Sequence, residues 1–237
     1  MSLLKLPFIL SSAIGINVAY TPPNAPPGKD EMLKPSFREV CLNNATGTLT
    51  IVLKTTFWLA TLGQAATIIL PLVPPSQLPE VASTLLDALG GPDKSSVSPA
   101  FLVGSTLVSL GGLLRWQCYR ALGRLFTFQL SVRKDHRLVK DGPYSFVRHP
   151  SYSAIALSFV GVITMYASPG SWLRESGLLD NRIIGRVAWA WATFMGLTTI
   201  SLFRRCPKED QMMKKEFGRE WDEWSSRVKY WVIPGIY

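Results

Sequence analysis

The chain has 237 residues, of which 47% are apolar and only 17% charged, and its formal net charge is +9. A soluble domain carries about 25% charged residues; here the deficit lies in long uncharged stretches, which argues against a water-soluble globule. The surplus of positive charge suits either nucleic acid or an anionic membrane surface. The apolar stretches favour the membrane, and no recognised nucleic-acid motif accompanies the basic residues, which adjoin those stretches.

A membrane span needs about 20 mostly apolar residues, and five stretches qualify in chain order. The first, residues 3–20, could be read as a signal peptide. Lys5 is its only positive charge and Ile16-Asn17-Val18 makes a poor cleavage site, so a retained helix is the better reading. The others are 49–73, 99–119, the short 151–167, and 183–203. Small residues recur in the third, at Gly104, Ser105, Ser109, Gly111 and Gly112, and such residues let membrane helices approach closely.

The connections differ in charge. Residues 21–48 open as a Pro-rich linker, and residues 74–98 are acidic on balance, with Glu80, Asp87 and Asp93 against Lys94. Residues 120–148 carry seven Lys or Arg against Asp135 and Asp141, and the chain from 204 onward is also basic. Cytoplasmic loops collect Lys and Arg. Five spans place both basic segments in the cytosol if the N-terminus is lumenal, and then 74–98 and 168–182 face the lumen. Over 205–228, Met212, Met213, Phe217, Trp221 and Trp224 recur at helical spacing, which predicts an amphipathic helix interrupted at Gly218. The fold class expected is all-α: a multi-span helical integral membrane protein of about five transmembrane helices and a C-terminal amphipathic helix.

Two clusters could carry chemistry. Asp141-Gly142-Pro143 is a turn signal, and Pro150 suits the first position of the fourth helix, where its missing N–H costs nothing. The free N–H groups of Ser151 and Tyr152 would then stand beside Arg148 and His149 as an anion site. Taken alone, the stretch is better read as a basic anchor touching lipid phosphates. The second cluster is 203–210, FRRCPKED, where Arg205 and Glu209 share a helix face; alone, it could be a surface ion pair. Pro207 fits only if a helix begins near it. Together the clusters offer donors, a guanidinium and carboxylates at the ends of adjacent spans, a set able to hold a zwitterion such as S-adenosylmethionine. The cysteines Cys41, Cys118 and Cys206 are few and far apart, and His136 and His149 lack a third ligand nearby, so neither a disulfide framework nor a metal site is expected.

Residues 136–152, HRLVKDGPYSFVRHPSY, and 203–236, from FRRCPKED through FGREWDEW to the closing IPGI, resemble the two motif blocks of the isoprenylcysteine carboxyl methyltransferases. Phospholipid N-methyltransferases and other small membrane methyltransferases share a looser version. The resemblance runs over about 115–237. It implies a helical membrane enzyme that uses S-adenosylmethionine to esterify the free carboxylate of a C-terminal prenylcysteine, in the endoplasmic reticulum with the active site facing the cytosol. By position, the cofactor contacts it implies fall on Gln129, on His136, Arg137, Leu138 and Val139, on Tyr144, and on His149, Pro150, Ser151 and Tyr152. Glu209 matches the catalytic acid that meets the cofactor, and Arg205 the catalytic and substrate-binding arginine at the acceptor carboxylate. Ala154 stands where the family often has Gly, and the acid pair is Glu209-Asp210 in place of two Glu. The partners implied are prenylated protein C-termini or prenylcysteine lipids within the bilayer, with no nucleic acid and no metal. A carboxylate nucleophile needs no general base, so positioning and removal of water would carry the catalysis. An acceptor of another class, a phospholipid amine or another acid, is the alternative; an amine would want a base or an anionic pocket, and Arg205 argues against it. The chain reads as one domain, 1–237, with N-terminal spans in 1–98 and the catalytic core in 99–237.

Overall fold

The computed structural model describes residues 2–28, 37–131, 136–169 and 171–237, and the side chains among these except at residues 2, 37–46, 48 and 49. The side chain of Cys41, Asp135, and part of the Pro-rich linker lie outside the described residues. The described elements are helical, as expected: α1 (Leu6–Ala19), α2 (Phe37–Ile69), α3 (Glu80–Ala88), α4 (Pro99–Leu122), α5 (Pro150–Ala167), the single turn α6 (Trp172–Glu175), α7 (Arg182–Phe217) and α8 (Arg219–Arg227).

Helices occupy each of the five apolar stretches. Thr50–Leu72, Pro150–Glu175 and Arg182–Phe217 are long and apolar enough to cross a membrane, whereas Leu3–Ala19 is apolar but shorter. α4 (Pro99–Leu122) is not among these three; small residues and Arg115 lie along it. Apolar side chains such as Ile14, Leu59, Val103, Val160, Trp189 and Leu197 point outward from the bundle. The chain is an integral membrane protein.

α4 is the hub, and glycine makes it so. A Cβ at Gly104 would lie 2.5 Å from the backbone nitrogen of Met165 and 2.7 Å from the carbonyl of Gly161, both on α5. A Cβ at Gly112 would collide with Gly15 of α1. The three backbones therefore pack at near-contact distance, and Ile9, Ala13, Ile16, Val108, Ile155, Val162 and Met165 fill the core among them and α2. Local signals place the ends: the Ser98 hydroxyl accepts from the amide of Phe101 at the start of α4, and the Asn181 side chain accepts from Ile183 and Ile184 at the start of α7.

The acidic connections gather at one end of the bundle. There Lys5 reaches Asp93 at 3.1 Å, and Ser176 lies against Gly90. The other end collects residues 20–28, 123–131 and 136–149 and the C-terminal segment; the Asn24 amide, for instance, donates to the carbonyls of Gly123 and Phe126.

Three features correct the sequence reading. α3 arises within the 74–98 connection, for which the sequence reading named no helix. α7 runs unbroken through Pro207, where a helix start was expected. At about 1.5 Å per residue its 36 residues extend for roughly 54 Å, beyond a hydrocarbon core of about 30 Å. Pro207 has no N–H for the carbonyl of Phe203, and the hydroxyl of Tyr237 donates to that carbonyl at 3.3 Å. Lastly, the amphipathic segment is two helices, because Gly218 at φ +52° ends α7 and opens α8.

Candidate active site

The site forms where the 141–149 connection meets α7 and the chain beyond α8. Gly142, at φ +60°, lets the chain enter a 3-10 turn over Gly142–Ser145, a backbone region that favours glycine. Pro150 opens α5 as expected, with its ring buried. The segment after α8 lies alongside: Arg148 N–H donates to the carbonyl of Tyr230 at 2.9 Å and His149 N–H to that of Trp231 at 2.7 Å. The Ser153 hydroxyl adds a third tie, to the carbonyl of Val232 at 2.6 Å.

Between these strips, α7 presents Arg205, Glu209 and Asp210. His149 is held from both sides, Nδ1 at 3.1 Å from Glu209 Oε2 and Nε2 at 2.9 Å from Asp210 Oδ1. Tyr152 stacks on the imidazole at 5.5 Å and donates its hydroxyl to Glu209 Oε1 at 2.5 Å. Arg205 Nε donates to the same oxygen at 2.8 Å, and its Nη1 to the carbonyl of Phe128 at 3.1 Å. Asp210 Oδ2 accepts from Arg148 Nη1 at 2.6 Å and from Trp231 Nε1 at 2.7 Å. Arg148 further donates to the carbonyls of Val228 and Ser225.

This geometry revises the anion site expected at the start of α5. Arg148 is committed to Asp210, His149 to both carboxylates, and Tyr152 N–H to the carbonyl of His149 at 2.9 Å. Both expected donors are already neutralised within the protein. Burial disfavours a charged His149, but its hydrogen bonds to Asp210 and Glu209 and the charges of both outweigh that cost and raise its pKa from 6.5 to about 9. His149 is therefore a cation at neutral pH, clamped between two anions. His136 shifts the other way, lowered by burial with a smaller opposing effect from Glu216.

A cavity of about 210 Å³ adjoins the cluster. Gln129, His136, Arg137, Leu138, Val139, Tyr144, His149, Ser151, Tyr152, Arg205 and Glu209 all line it. Pro150 does not; it is buried as the first residue of α5. The structure thus brings residues from three distant stretches of sequence to one hollow. Leu138 and Val139 pack against an apolar group containing Tyr144, Trp221 and Trp224, and Lys140 pairs with Glu220 of α8 at 2.6 Å. Ile155, Thr198 and Leu202 extend the lining onto α5 and α7, which carry the cavity toward the membrane-facing part of the bundle.

Sequence reasoning missed several of these residues. Tyr20 and Arg115 also line the cavity, and Trp231 completes the hydrogen bonding of Asp210. For Arg115 a signal existed, since an ionisable residue inside an apolar stretch marks function by default. Trp231 offered none, because its partner lies 21 residues away. Among the described residues no group of three or more His, Cys, Asp or Glu could hold a metal ion.

Fold and site define a class: a helical integral membrane protein whose cavity, open at one end of the bundle, is walled by aromatic and apolar side chains and floored by a network of arginine, histidine and carboxylates. Residues 104–172 match the model of the isoprenylcysteine carboxyl methyltransferase (ICMT) family. The match includes the 136–152 block on which the resemblance first rested and bears that resemblance out. Protein-S-isoprenylcysteine O-methyltransferase B of Arabidopsis thaliana is 32% identical over 130 residues, 53% of this chain and 55% of that protein. A probable protein-S-isoprenylcysteine O-methyltransferase of Oryza sativa subsp. indica is 27% identical over 146 residues, 61% of this chain and 66% of its own length, and one of subsp. japonica matches to the same extent. The chain therefore spans between about half and two thirds of these curated relatives. No solved structure matches it.

Proposed function

We propose that this cavity is the active site of a carboxyl methyltransferase that esterifies the C-terminal carboxylate of prenylated cysteine, with S-adenosylmethionine as methyl donor. The observation that carries the reading is the placement of Arg205 and Glu209, one helical turn apart, on the wall of a cavity lined by the 136–152 block. S-Adenosylmethionine, when bound, supplies a methyl group activated on a sulfonium. The residues present fit it: Glu209 offers a buried carboxylate to an ammonium, and Leu138, Val139, Tyr144, Trp221 and Trp224 offer apolar and aromatic faces to a nucleoside. Gln129, His136, Arg137, Ser151 and Tyr152 complete its surroundings, while Pro150 sets the start of α5 beneath it. Clamped between Asp210 and Glu209, His149 fixes the orientation of the acid.

Arg205 orients the acceptor carboxylate, since a guanidinium fork matches two oxygens. The carboxylate is already ionised, so no side chain has to remove a proton, and the protein's part is to hold two charged reactants together away from water. The acceptor's hydrocarbon lies along Ile155, Thr198 and Leu202 and enters from the bilayer, where burial is worth about 0.8 kcal/mol per CH₂. An amine acceptor is disfavoured by a guanidinium at this position.

The same reading places the protein in the endoplasmic reticulum with five crossings, the N-terminus in the lumen and the cavity on the cytosolic side. The gathering of the acidic connections at one end, and of the basic segments at the end that holds the cavity, supports it.

The test is transfer of labelled methyl to a farnesylated cysteine analogue in membranes that carry the protein, with phosphatidylethanolamine as a second acceptor. Base-labile label on the cysteine analogue is expected, and Arg205→Ala should reduce kcat/KM by roughly 100-fold or more. Transfer to the amine lipid alone would defeat the reading.

A further inference from the structure

At the end of the bundle that holds the cavity, one surface is both apolar and basic, and the methyl transfer does not use it. The segment after α8 exposes Tyr230, Ile233, Ile236 and Tyr237, with Ile236 80% in the open, and Phe146 of the neighbouring connection is 73% exposed. Arg204 of α7 and Lys229 are exposed as well. An apolar patch rimmed by polar groups marks a contact with protein or with membrane.

α7 decides between the two. Its outward stripe runs through Arg186, Ala190, Thr193, Leu197, Ile200 and Arg204, three or four residues apart and all exposed. The stripe is uncharged between its two arginines. At about 1.5 Å per residue these stand roughly 27 Å apart along the axis, against a hydrocarbon core of about 30 Å. The stripe therefore faces lipid, and Arg204 marks the level at which α7 leaves the acyl chains.

The segment after α8 meets α7 at that level. The Tyr237 ring stacks at 5.8 Å on Phe203, the residue before Arg204, and the Tyr237 hydroxyl donates to the Phe203 carbonyl. The amides of Ile236 and Tyr237 both donate to the carbonyl of Ile233. Ile233 and Ile236 thus sit on a closed turn held to the helix where acyl chains give way to headgroups, a level that Tyr side chains also favour. The reading above puts this end at the cytosolic leaflet, the anionic one of the two, which complements Arg204 and Lys229.

We infer that this turn is an interfacial anchor: Ile233 and Ile236 enter the acyl boundary of the leaflet, and Arg204 and Lys229 take the phosphates of anionic lipids. The anchor depends on α7 as a span and not on the methyl transfer. It links lipid to the site, because the carbonyls of Tyr230, Trp231 and Val232 hold Arg148, His149 and Ser153, and the Trp231 indole holds Asp210. A leaflet that fixes the turn fixes the groups around Glu209.

The test places the full chain in phosphatidylcholine nanodiscs with and without phosphatidylserine and follows amide exchange over 228–237 by mass spectrometry. Phosphatidylserine should slow that exchange roughly 5- to 30-fold, since each cation at an anionic surface contributes about fivefold, while α3 at the opposite end should exchange alike in both discs. Arg204→Gln combined with Lys229→Gln should lose the dependence on lipid charge. Ile233→Ser combined with Ile236→Ser should exchange faster in both discs. Exchange that ignores lipid composition would overturn the anchor, as would a double Gln variant that keeps the full dependence. S-Adenosylhomocysteine affinity should rise with the protection, and protection without a gain in affinity would overturn the link from lipid to site. Failure of that ligand to bind in any disc defeats the methyltransferase reading and leaves the exchange result to decide the anchor by itself.

Discussion

The hydroxyl of Tyr237 donates to the carbonyl of Phe203, the backbone oxygen that Pro207 leaves without its helical partner. The two rings also stack at 5.8 Å. Tyr237 thus mends the ladder of α7, six residues before Glu209. The same segment holds Arg148, His149 and Ser153 through its carbonyls and Asp210 through Trp231. It works as a strap across the site.

The strap can be tested by a double-mutant cycle. Tyr237→Phe should cost about 0.5–1 kcal/mol, the worth of a partly exposed neutral hydrogen bond. Pro207→Ala supplies an N–H that can reach Phe203 itself, so on that background Tyr237→Phe should cost measurably less. Thermal unfolding of the four proteins in one detergent gives the coupling. Strict additivity would mean that the Tyr237 hydroxyl does not substitute for the missing amide.

His149 makes stability depend on pH with a definite sign. Its pKa is raised from 6.5 to about 9, with burial opposing and Asp210 and Glu209 prevailing. The imidazolium's contribution is therefore fully present below pH 6.5 and is lost as pH rises through 9. A shift of that size is worth up to about 3 kcal/mol. Arg148, Arg205 and the stacked Tyr152 also face this cluster. The unfolding midpoint should fall between pH 6.5 and 9, and His149→Gln should be less stable at pH 6 and flatter across the window. A wild-type midpoint that holds steady to pH 9 would contradict the clamp.

How much of this was written in the sequence depends on the range of each interaction. The turn at Gly142-Pro143, the start of α5 at Pro150 and the shared face of Arg205 and Glu209 are local, and all were legible. The passage of α7 through Pro207 was not, because the compensating donor lies 34 residues away. The supposed anion site at Arg148 and His149 was misread for a similar reason. Their charges look free along the chain, yet Asp210 sits 62 and 61 residues on. Helix α3 was missed because nine residues inside a Pro-bounded connection give a weak periodic signal.

Gly104 is a sharper test of packing than any large core residue. A Cβ there meets backbone on α5, at Met165 and Gly161, and backbone cannot yield as a side-chain tip does. Gly104→Val should destabilise the bundle by about 1–3 kcal/mol, the usual cost of overpacking. Gly47→Ala is the control, since nothing lies within 4 Å of a Cβ built there. Equal melting temperatures for the two variants would rule out the close α4–α5 crossing.

Lys5 and Asp93 form a buried ion pair at the end of the bundle away from the cavity. Each side chain is 1% exposed. Lys5 also donates to the carbonyl and hydroxyl of Ser95, and the Asp93 carboxylate accepts from the amide and hydroxyl of Ser95. Removing one partner strands the other charge, so Lys5→Met or Asp93→Leu should each cost about 3–5 kcal/mol. Removing both should cost far less than the sum, because two apolar side chains can fill the space that two charges leave. Ligand affinity at the cavity should be unchanged in whichever variant folds, since α1 separates the pair from Tyr20 and Arg115. Unfolding free energies of the cycle, read beside S-adenosylhomocysteine binding, distinguish a structural staple from a contributor to the site; a fall in affinity at undiminished stability would place Lys5 in the machinery of the cavity.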